Sequence, residues 1–195
     1  SVSEAADQLI VLDVGAAAHG GYCVARHEGR VVFLRHALPG ERVRAAVTEE
    51  RGSFWRADAV EVLAAARGRV APPCPHAGPG RCGGCDWQHA DAATQRDLKA
   101  AVVREQFARL AGLDVSGLLT AVEPLPPEQG LLGWRTRITY ALDRSGRPGL
   151  HRHRSGEIER LAACPLGAPG VGDSPALART WPGLTGIEVA RGDDG

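Results

Sequence analysis

Apolar and polar residues alternate along five short segments in the first third of the chain, and glycine-containing turns separate these segments. Alternation with a period of two, together with β-branched and aromatic residues, is typical of half-buried β-strands. Five short antiparallel strands between residues 8 and 66 predict a small barrel. The five segments are QLIVLDV, GYCVARHEG, RVVFLRHAL, RVRAAVTEE and SFWRADAVEVL.

One turn in this region has a defined chemistry. Pro39 presets φ and Gly40 accepts a positive φ, which suits the two central positions of a type II turn. The pair lies between RVVFLRHAL and RVRAAVTEE. The sequence therefore predicts a hairpin of these two strands.

The pattern changes after a stretch rich in proline and glycine at residues 64–84, which we interpret as a linker or a ligand loop. Residues 93–110 contain neither glycine nor proline, and their apolar residues recur at helical spacing. Thr94 and Asp97 offer a capping interaction, and Gly112 is a natural stop. One α-helix is predicted here. Its apolar positions are Leu98, Val102, Val103, Phe107 and Leu110.

Alternation returns in the last third of the chain and predicts a second antiparallel sheet. The fold class is thus mainly β with one helix, arranged as a five-stranded barrel at residues 1–66 and a small α+β domain at residues 67–195. The strand-like segments of the second domain are WRTRITYALD, RPGLHRHRSG, EIERLAACPL and GIEVARG.

Four of the five cysteines have a spacing suited to a metal centre, and the chain is neither short nor cysteine-dense enough for a disulfide scaffold. Thiolates at such spacing bind Zn²⁺ or an iron–sulfur cluster, and the spacing leaves both open. Zinc could also use His76 or His89 in place of Cys164, although hydrogen bonding or packing is the simpler role for either histidine. Cys23 lies in a predicted strand as a small apolar residue. The predicted ligands are Cys74, Cys82, Cys85 and Cys164.

Charge gives a local signal only, because 23 cationic residues balance 23 acidic ones. Residues 134–160 hold seven arginines against three acids, a local excess that suits a polyanion. Arg135 and Arg137 have the same parity and would point to one face of a strand. The alternative is a solvated face paired with Glu157 and Glu159. The predicted RNA-binding residues are Arg135, Arg137, Arg152 and Arg154, and weaker candidates in the barrel are Tyr22, Arg26, Phe33 and Arg35.

Three blocks of sequence resemble one enzyme family. LIVLDVGAAAHGGYCVARHEGRVVFLRHALPGERV resembles a TRAM domain, an OB-like RNA-binding barrel. CPHAGPGRCGGCDWQHA resembles the iron–sulfur segment of bacterial RNA 5-methyluridine methyltransferases, those of 23S rRNA especially. GWRTRITYALDRSGRPGLHRHRSGEIERLAACPL resembles their central domain. The resemblance runs from about residue 8 to about residue 190 in the family's order.

This resemblance implies RNA, expected to be rRNA, as the partner, and a [4Fe–4S] cluster held by the four cysteines. The cysteine usage separately predicts a reducing, cytoplasmic setting. No apolar stretch approaches the roughly 20 residues needed to cross a bilayer, so a membrane partner is not expected. A DNA partner is not expected either. The chain departs from the family at its first cysteine spacing, because seven residues separate Cys74 from Cys82 where the family usually has five. That departure lengthens a loop that must still present its thiolates to one cluster.

A second departure concerns catalysis. Enzymes of this family carry a Rossmann-like domain that binds S-adenosylmethionine and supplies the nucleophilic cysteine, and no glycine-rich turn between a strand and a helix is recognisable here. We therefore expect the RNA-recognition portion of such an enzyme, with no catalytic or cofactor-binding residue of its own and inactive alone; S-adenosylmethionine would bind only the intact parent. The alternative is a stand-alone RNA-binding or redox-responsive iron–sulfur or zinc module.

Overall fold

The computed structural model describes residues 9–124 and 130–192, so Gln8, the predicted start of the first strand, lies outside the described residues. The described chain is mainly β with one α-helix and two sheets, as predicted. It forms two compact units. We call Ser1–Pro72 with Asp86–Glu123 the barrel unit, and Pro73–Cys85 with Pro124–Gly195 the thiol unit.

The sheet of the barrel unit has the strand order β1-β5-β6-β4-β3-β2. Its two end strands, β1 and β2, are consecutive in the chain, and Gly15 N–H donates to the Val24 carbonyl at 2.8 Å between them. The first chain segment therefore pairs with β5 at one end and with β3 at the other, which closes the sheet into a barrel. The strands are β1 (Leu9–Asp13), β2 (Ala17–Ala18), β3 (Tyr22–His27), β4 (Arg30–Arg35), β5 (Arg42–Glu50) and β6 (Phe54–Ala64).

Five of these strands were predicted, but the pairing of two of them was wrong. β4 pairs with β3 and, in parallel, with β6, and β5 pairs with β1 and β6, so no hairpin joins β4 to β5. Gly40 does adopt a positive φ of 85°. Its N–H donates to the Val14 carbonyl at 2.8 Å, so the turn leads the chain past the first segment instead of back along β4.

The interior of the barrel is apolar, with Leu12, Val32 and Leu34 at most 1 % exposed. One charged group is also buried there. The Glu41 carboxylate accepts hydrogen bonds from Leu38 N–H at 2.8 Å, Ala66 N–H at 3.1 Å and the Arg69 guanidinium at 2.5 Å. A buried carboxylate with this many donors is fully compensated, so it fixes the loops that meet at this end of the barrel.

The helix α1 (Ala92–Gln106) belongs to the barrel unit, so the compact units divide the chain differently from a boundary at residue 66. Its cap differs from the expected one, because the Asp91 carboxylate accepts from Thr94 N–H at 2.8 Å. A short π-helix, Phe107–Ala111, follows, and Gly112 ends it with a φ of 65°, as predicted. Leu98 is buried, whereas Val103, Phe107 and Leu110 are exposed.

The thiol unit contains the predicted second sheet, which is antiparallel with the strand order β10-β7-β8-β9. Its core includes Ile138, Leu166 and Val171, and the buried Tyr140 hydroxyl donates to the Val171 carbonyl at 3.1 Å. The chain from β9 to β10 is thereby held on one face of the sheet. The strands are β7 (Arg137–Leu142), β8 (Pro148–His151), β9 (Ile158–Arg160) and β10 (Gly186–Ala190).

Within the part of the chain that the structure describes, no helix has the length and apolar character needed to cross a membrane.

Candidate functional site

The loop that carries three of the cysteines lies against the β8–β9 hairpin of the thiol unit. Cys82 forms an isolated antiparallel bridge with Arg152, and Gly83 N–H donates to the His151 carbonyl at 3.0 Å. A Cβ on Gly83 would lie 2.8 Å from the His153 Cα. Only glycine fits this approach without displacing backbone. Gly83 thus allows the cysteine loop to lie directly against the hairpin.

The thiols of this unit share one neighbourhood. Burial raises the pKa of the Cys82 thiol, interactions with Cys164 and Cys74 raise it further, and the Gly84 N–H, 3.4 Å from Cys82 Sγ, opposes them. Cys164 is itself buried, and Cys85 packs against the apolar cluster that contains Cys164. The long-range link between Cys164 and the cysteine loop is therefore present in the fold.

The geometry of the described residues bears on whether they fit a metal centre. Among residues 9–124 and 130–192, no three or more His, Cys, Asp or Glu side chains converge closely enough to hold a metal ion. The predicted four-cysteine site is therefore not shown, although the donor set is chemically suited to a thiolate-ligated group. Of the alternative zinc ligands, His76 lies 3.0 Å from Glu159 through Nδ1, and His89 lies 3.3 Å from the Ala37 carbonyl through Nε2.

A carboxylate that the sequence analysis treated only as a possible partner organises this region. Glu159 on β9 is 7 % exposed and accepts hydrogen bonds from Arg81 at 3.0 Å and from Arg152 at 3.2 Å, in addition to its contact with His76. The hydrogen bond with His76, and then those with the two guanidinium groups, hold the pKa of Glu159 below its usual range against the effect of burial. Glu159 thus joins the cysteine loop to the sheet.

The predicted RNA-binding arginines have unequal surroundings. Arg152 is paired with Glu157 at 2.8 Å as well as with Glu159, which matches the alternative interpretation of a paired strand face. Arg137 is exposed and lies 3.0 Å from Glu188 on β10. Arg154 is exposed and has a positive φ of 51° in the turn after β8. Arg152 thus pairs with two carboxylates, while Arg137 and Arg154 are exposed to solvent.

Arg135 has an aromatic neighbour that the sequence analysis did not select. Its guanidinium lies 5.3 Å from the centroid of the Trp134 ring, and Trp134 is 42 % exposed. An exposed indole beside an arginine offers a stacking surface next to a cation. In the sequence, the adjacent Trp134 and Arg135 at the start of a predicted strand could have indicated this pair.

The structure also shows which barrel residues point outward. Tyr22 and Phe33 are half-buried on the outer face, and Arg26 is exposed there. Arg35 is different, because it is 3 % exposed and its guanidinium pairs with Asp86 at 2.7 Å. Asp86 packs over Gly21, where a Cβ would lie 2.3 Å from its Cγ. Arg35 is therefore a structural residue of the barrel, and the suggestion that it contacts RNA was wrong.

Residues 8–60 match the TRAM domain family. The chain carries a TRAM domain. This match coincides with the barrel strands β1 to β5 and most of β6.

Relatives extend the similarity beyond the TRAM domain. The chain is 50 % identical over 187 residues to a protein of Streptomyces avermitilis and 52 % identical over 188 residues to one of Streptomyces coelicolor, both described as uncharacterized RNA methyltransferases. It is 40 % identical over 170 residues to the 23S rRNA (uracil(1939)-C(5))-methyltransferase RlmD of Halomonas elongata. These matches cover 91, 91 and 86 % of this chain but only 43, 41 and 33 % of the relatives. The chain thus spans less than half the length of these curated relatives.

A solved structure, that of the Pyrococcus abyssi tRNA (uracil-54, C5)-methyltransferase in complex with S-adenosyl-L-homocysteine, is 22 % identical. The TM-score is 0.47, and the match covers 80 % of this chain and 33 % of that one.

Proposed function

We propose that this chain is the RNA-recognition portion of an S-adenosylmethionine-dependent RNA (uracil-5-)-methyltransferase that acts on rRNA in the cytoplasm. The observation that carries this proposal is the 50 to 52 % identity, over 91 % of the chain, to two proteins described as RNA methyltransferases. The TRAM domain at residues 8–60 supports RNA as the partner, and the name of the Halomonas relative supports rRNA and uracil C5.

In the intact enzymes that the chain resembles, S-adenosylmethionine supplies the methyl group for uridine C5, and a cysteine outside this region attacks C6 of the flipped-out base. The part played by the present residues is recognition. Arg137 and Arg154 are exposed cations for phosphate contact, and Trp134 with Arg135 offers a flat surface and a charge for an unpaired base. The chain alone is expected to bind RNA without methylating it.

The second part of the proposal is that Cys74, Cys82, Cys85 and Cys164 hold a [4Fe–4S] cluster. Support comes from the interaction of the Cys82 thiol with Cys74 and Cys164, and from the packing of Cys85 in the cluster that contains Cys164. A single Zn²⁺ held by the same thiolates is the alternative.

The RNA part is tested with the chain itself, purified anaerobically, and an rRNA fragment that contains a single-stranded loop. We expect binding that weakens steeply with salt, because arginine contacts release counterions from phosphate. Arg137→Ala should reduce the affinity and the salt slope, whereas Arg144→Ala, which removes an arginine outside the proposed set, should leave both unchanged. Equal effects of the two substitutions would contradict the assignment of Arg137.

The cluster part is tested by iron, sulfide and zinc analysis of the same protein. We expect about four irons per chain and broad absorption at about 400 nm. A colourless protein with one tightly held zinc would contradict the cluster and favour the zinc-stabilised module.

A further inference from the structure

Three aromatic side chains from three neighbouring strands form a row on the outer surface of the barrel. Tyr22 on β3 and Phe33 on β4 have ring centroids 6.0 Å apart, and Phe33 and Phe54 on β6 have centroids 5.5 Å apart. Both contacts are edge to face, with interplanar angles of 70° and 74°. We call Tyr22, Phe33 and Phe54 the aromatic row.

The row points away from the barrel interior. Each of its residues is half-buried, while the next residue along each strand is buried in the barrel core: Cys23, Leu34 and Trp55. Successive side chains of a strand alternate between the two faces of a sheet, so the row is on the face opposite to the core. Aromatic side chains on that face are therefore additional to those needed to fill the barrel.

Two arginines lie on the same outer face as the row. The Arg56 guanidinium lies 4.8 Å from the centroid of the Phe54 ring, and Arg26 is exposed on the same face of β3. Glu49 contacts both Arg56 and Arg51, so one carboxylate is shared by two guanidinium groups. Rings flanked by arginines form the combination that binds unpaired bases and their phosphates.

We propose that the aromatic row is a stacking site for the unpaired bases of single-stranded RNA, with Arg26 and Arg56 contacting the flanking phosphates. This inference rests on the proposed function, because it specifies the form of RNA that the barrel accepts. Bases in a duplex are stacked on one another and cannot lie on the rings, so the site discriminates against double-stranded RNA.

The test is fluorescence anisotropy of the full chain with a 5′-labelled oligouridine of about 12 nucleotides and with an RNA duplex of the same length. Phe33→Leu keeps an apolar side chain but removes the central ring. Base–aromatic stacking contributes about 1 to 3 kcal/mol per base, so we expect a loss of about 5-fold or more in affinity for oligouridine. Affinity for the duplex should not change.

Phe107→Leu is the matched control. Phe107 is an exposed phenylalanine, 45 % exposed, but it lies in the short π-helix after α1 and is not part of the row. It should bind both RNAs as the wild type does. Tyr22→Leu provides a second variant of the row, so that a folding defect of Phe33→Leu, visible as a lowered melting temperature, does not decide the outcome.

Salt dependence separates stacking from charge. Phe33→Leu should lower the affinity for oligouridine at every salt concentration and leave the slope against salt unchanged, since no cation is removed. Suppose that Phe33→Leu and Tyr22→Leu both fold and bind oligouridine as tightly as the wild type, while Arg137→Ala still weakens RNA binding. That result would overturn the stacking site but not the proposed function. Failure of the wild-type chain to bind any RNA would overturn the proposed function as well.

Discussion

The barrel unit and the thiol unit are stabilised in different ways. Among the described residues, eighteen buried apolar residues form the core cluster of the barrel, whereas seven form that of the thiol unit. The thiol unit adds a carboxylate, Glu159, that connects the cysteine loop to the sheet, and four cysteines. A small apolar core gives little net stability, so such units commonly depend on a cross-link or a metal group. The difference predicts that the thiol unit depends more than the barrel unit on groups other than its apolar core.

The largest expected effect comes from removing one thiol. Cys85→Ser should abolish iron binding, and we expect the thiol unit to lose more than about 4 kcal/mol of stability, as is usual when a structural metal group is lost. Hydrogen exchange should show residues 130–192 exposed to solvent while the barrel strands keep their protection. Cys23→Ala is the control, because Cys23 belongs to the barrel core and its loss should leave the iron content unchanged. Full protection of β7 and β8 in Cys85→Ser would contradict the difference between the units.

A core substitution in the barrel should give the opposite pattern. Leu34 is completely buried, so Leu34→Ala should destabilise the barrel by about 2 to 5 kcal/mol through lost burial and a residual cavity. The measurements are the free energy of unfolding from urea titration and the hydrogen-exchange protection of the barrel strands. Leu110→Ala, at a position that is 71 % exposed, should cost less than about 0.5 kcal/mol. Equal effects of the two substitutions would show that the barrel does not depend on its interior.

The Glu159 network should contribute less than either of these. Glu159→Gln removes the charge that His76, Arg81 and Arg152 share, and we expect a loss of about 1 to 3 kcal/mol in the thiol unit. Glu157→Gln, which removes an exposed partner of Arg152, should cost less than about 1 kcal/mol. Thermal unfolding of both variants provides the comparison. A larger effect for Glu157→Gln would mean that the network is not centred on Glu159.

The smallest effect concerns acid stability of the barrel. Burial opposes ionisation of Glu41, but the Arg69 hydrogen bond and the Leu38 and Ala66 N–H groups outweigh it and hold the pKa below the ordinary 4.5. Because the folded pKa is depressed, this stabilisation is complete above the unfolded pKa and is lost as the pH falls through the folded value. Unfolding free energies between about pH 7 and about pH 3.5 should fall less steeply in Glu41→Gln than in the wild type. Parallel pH profiles would contradict this role of Glu41.

The sequence predicted the strands well where one face is buried, because alternation directly reports that burial. It did not predict which strands pair. The parallel contact of β4 with β6 depends on closure of the barrel, and the Pro39-Gly40 turn fits a hairpin equally well as a local motif. The sequence also could not show that Tyr22 points outward and that Arg35 is buried. Alternation assigns the residues of a strand to two faces, but only the closed sheet shows which face is inside.

The candidate site was predictable at the level of residue types only. The cysteine spacing predicts that Cys164 and the cysteine loop share one site, and that assignment stays a prediction. The pairing of Arg152 with Glu159 could not be separated from RNA binding, because a guanidinium suits a carboxylate and a phosphate equally. The helix cap was predicted at the wrong residue, because Asp91 and Thr94 are both residue types that favour the N-cap and lie only three residues apart.

The most direct test of the central claim is nucleoside analysis, by mass spectrometry, of rRNA from cells with and without the gene that encodes this chain. The account predicts that loss of the gene removes 5-methyluridine from the rRNA, and that a copy encoding intact protein restores it. An unchanged 5-methyluridine content in rRNA would contradict the assignment to rRNA uracil-5 methylation.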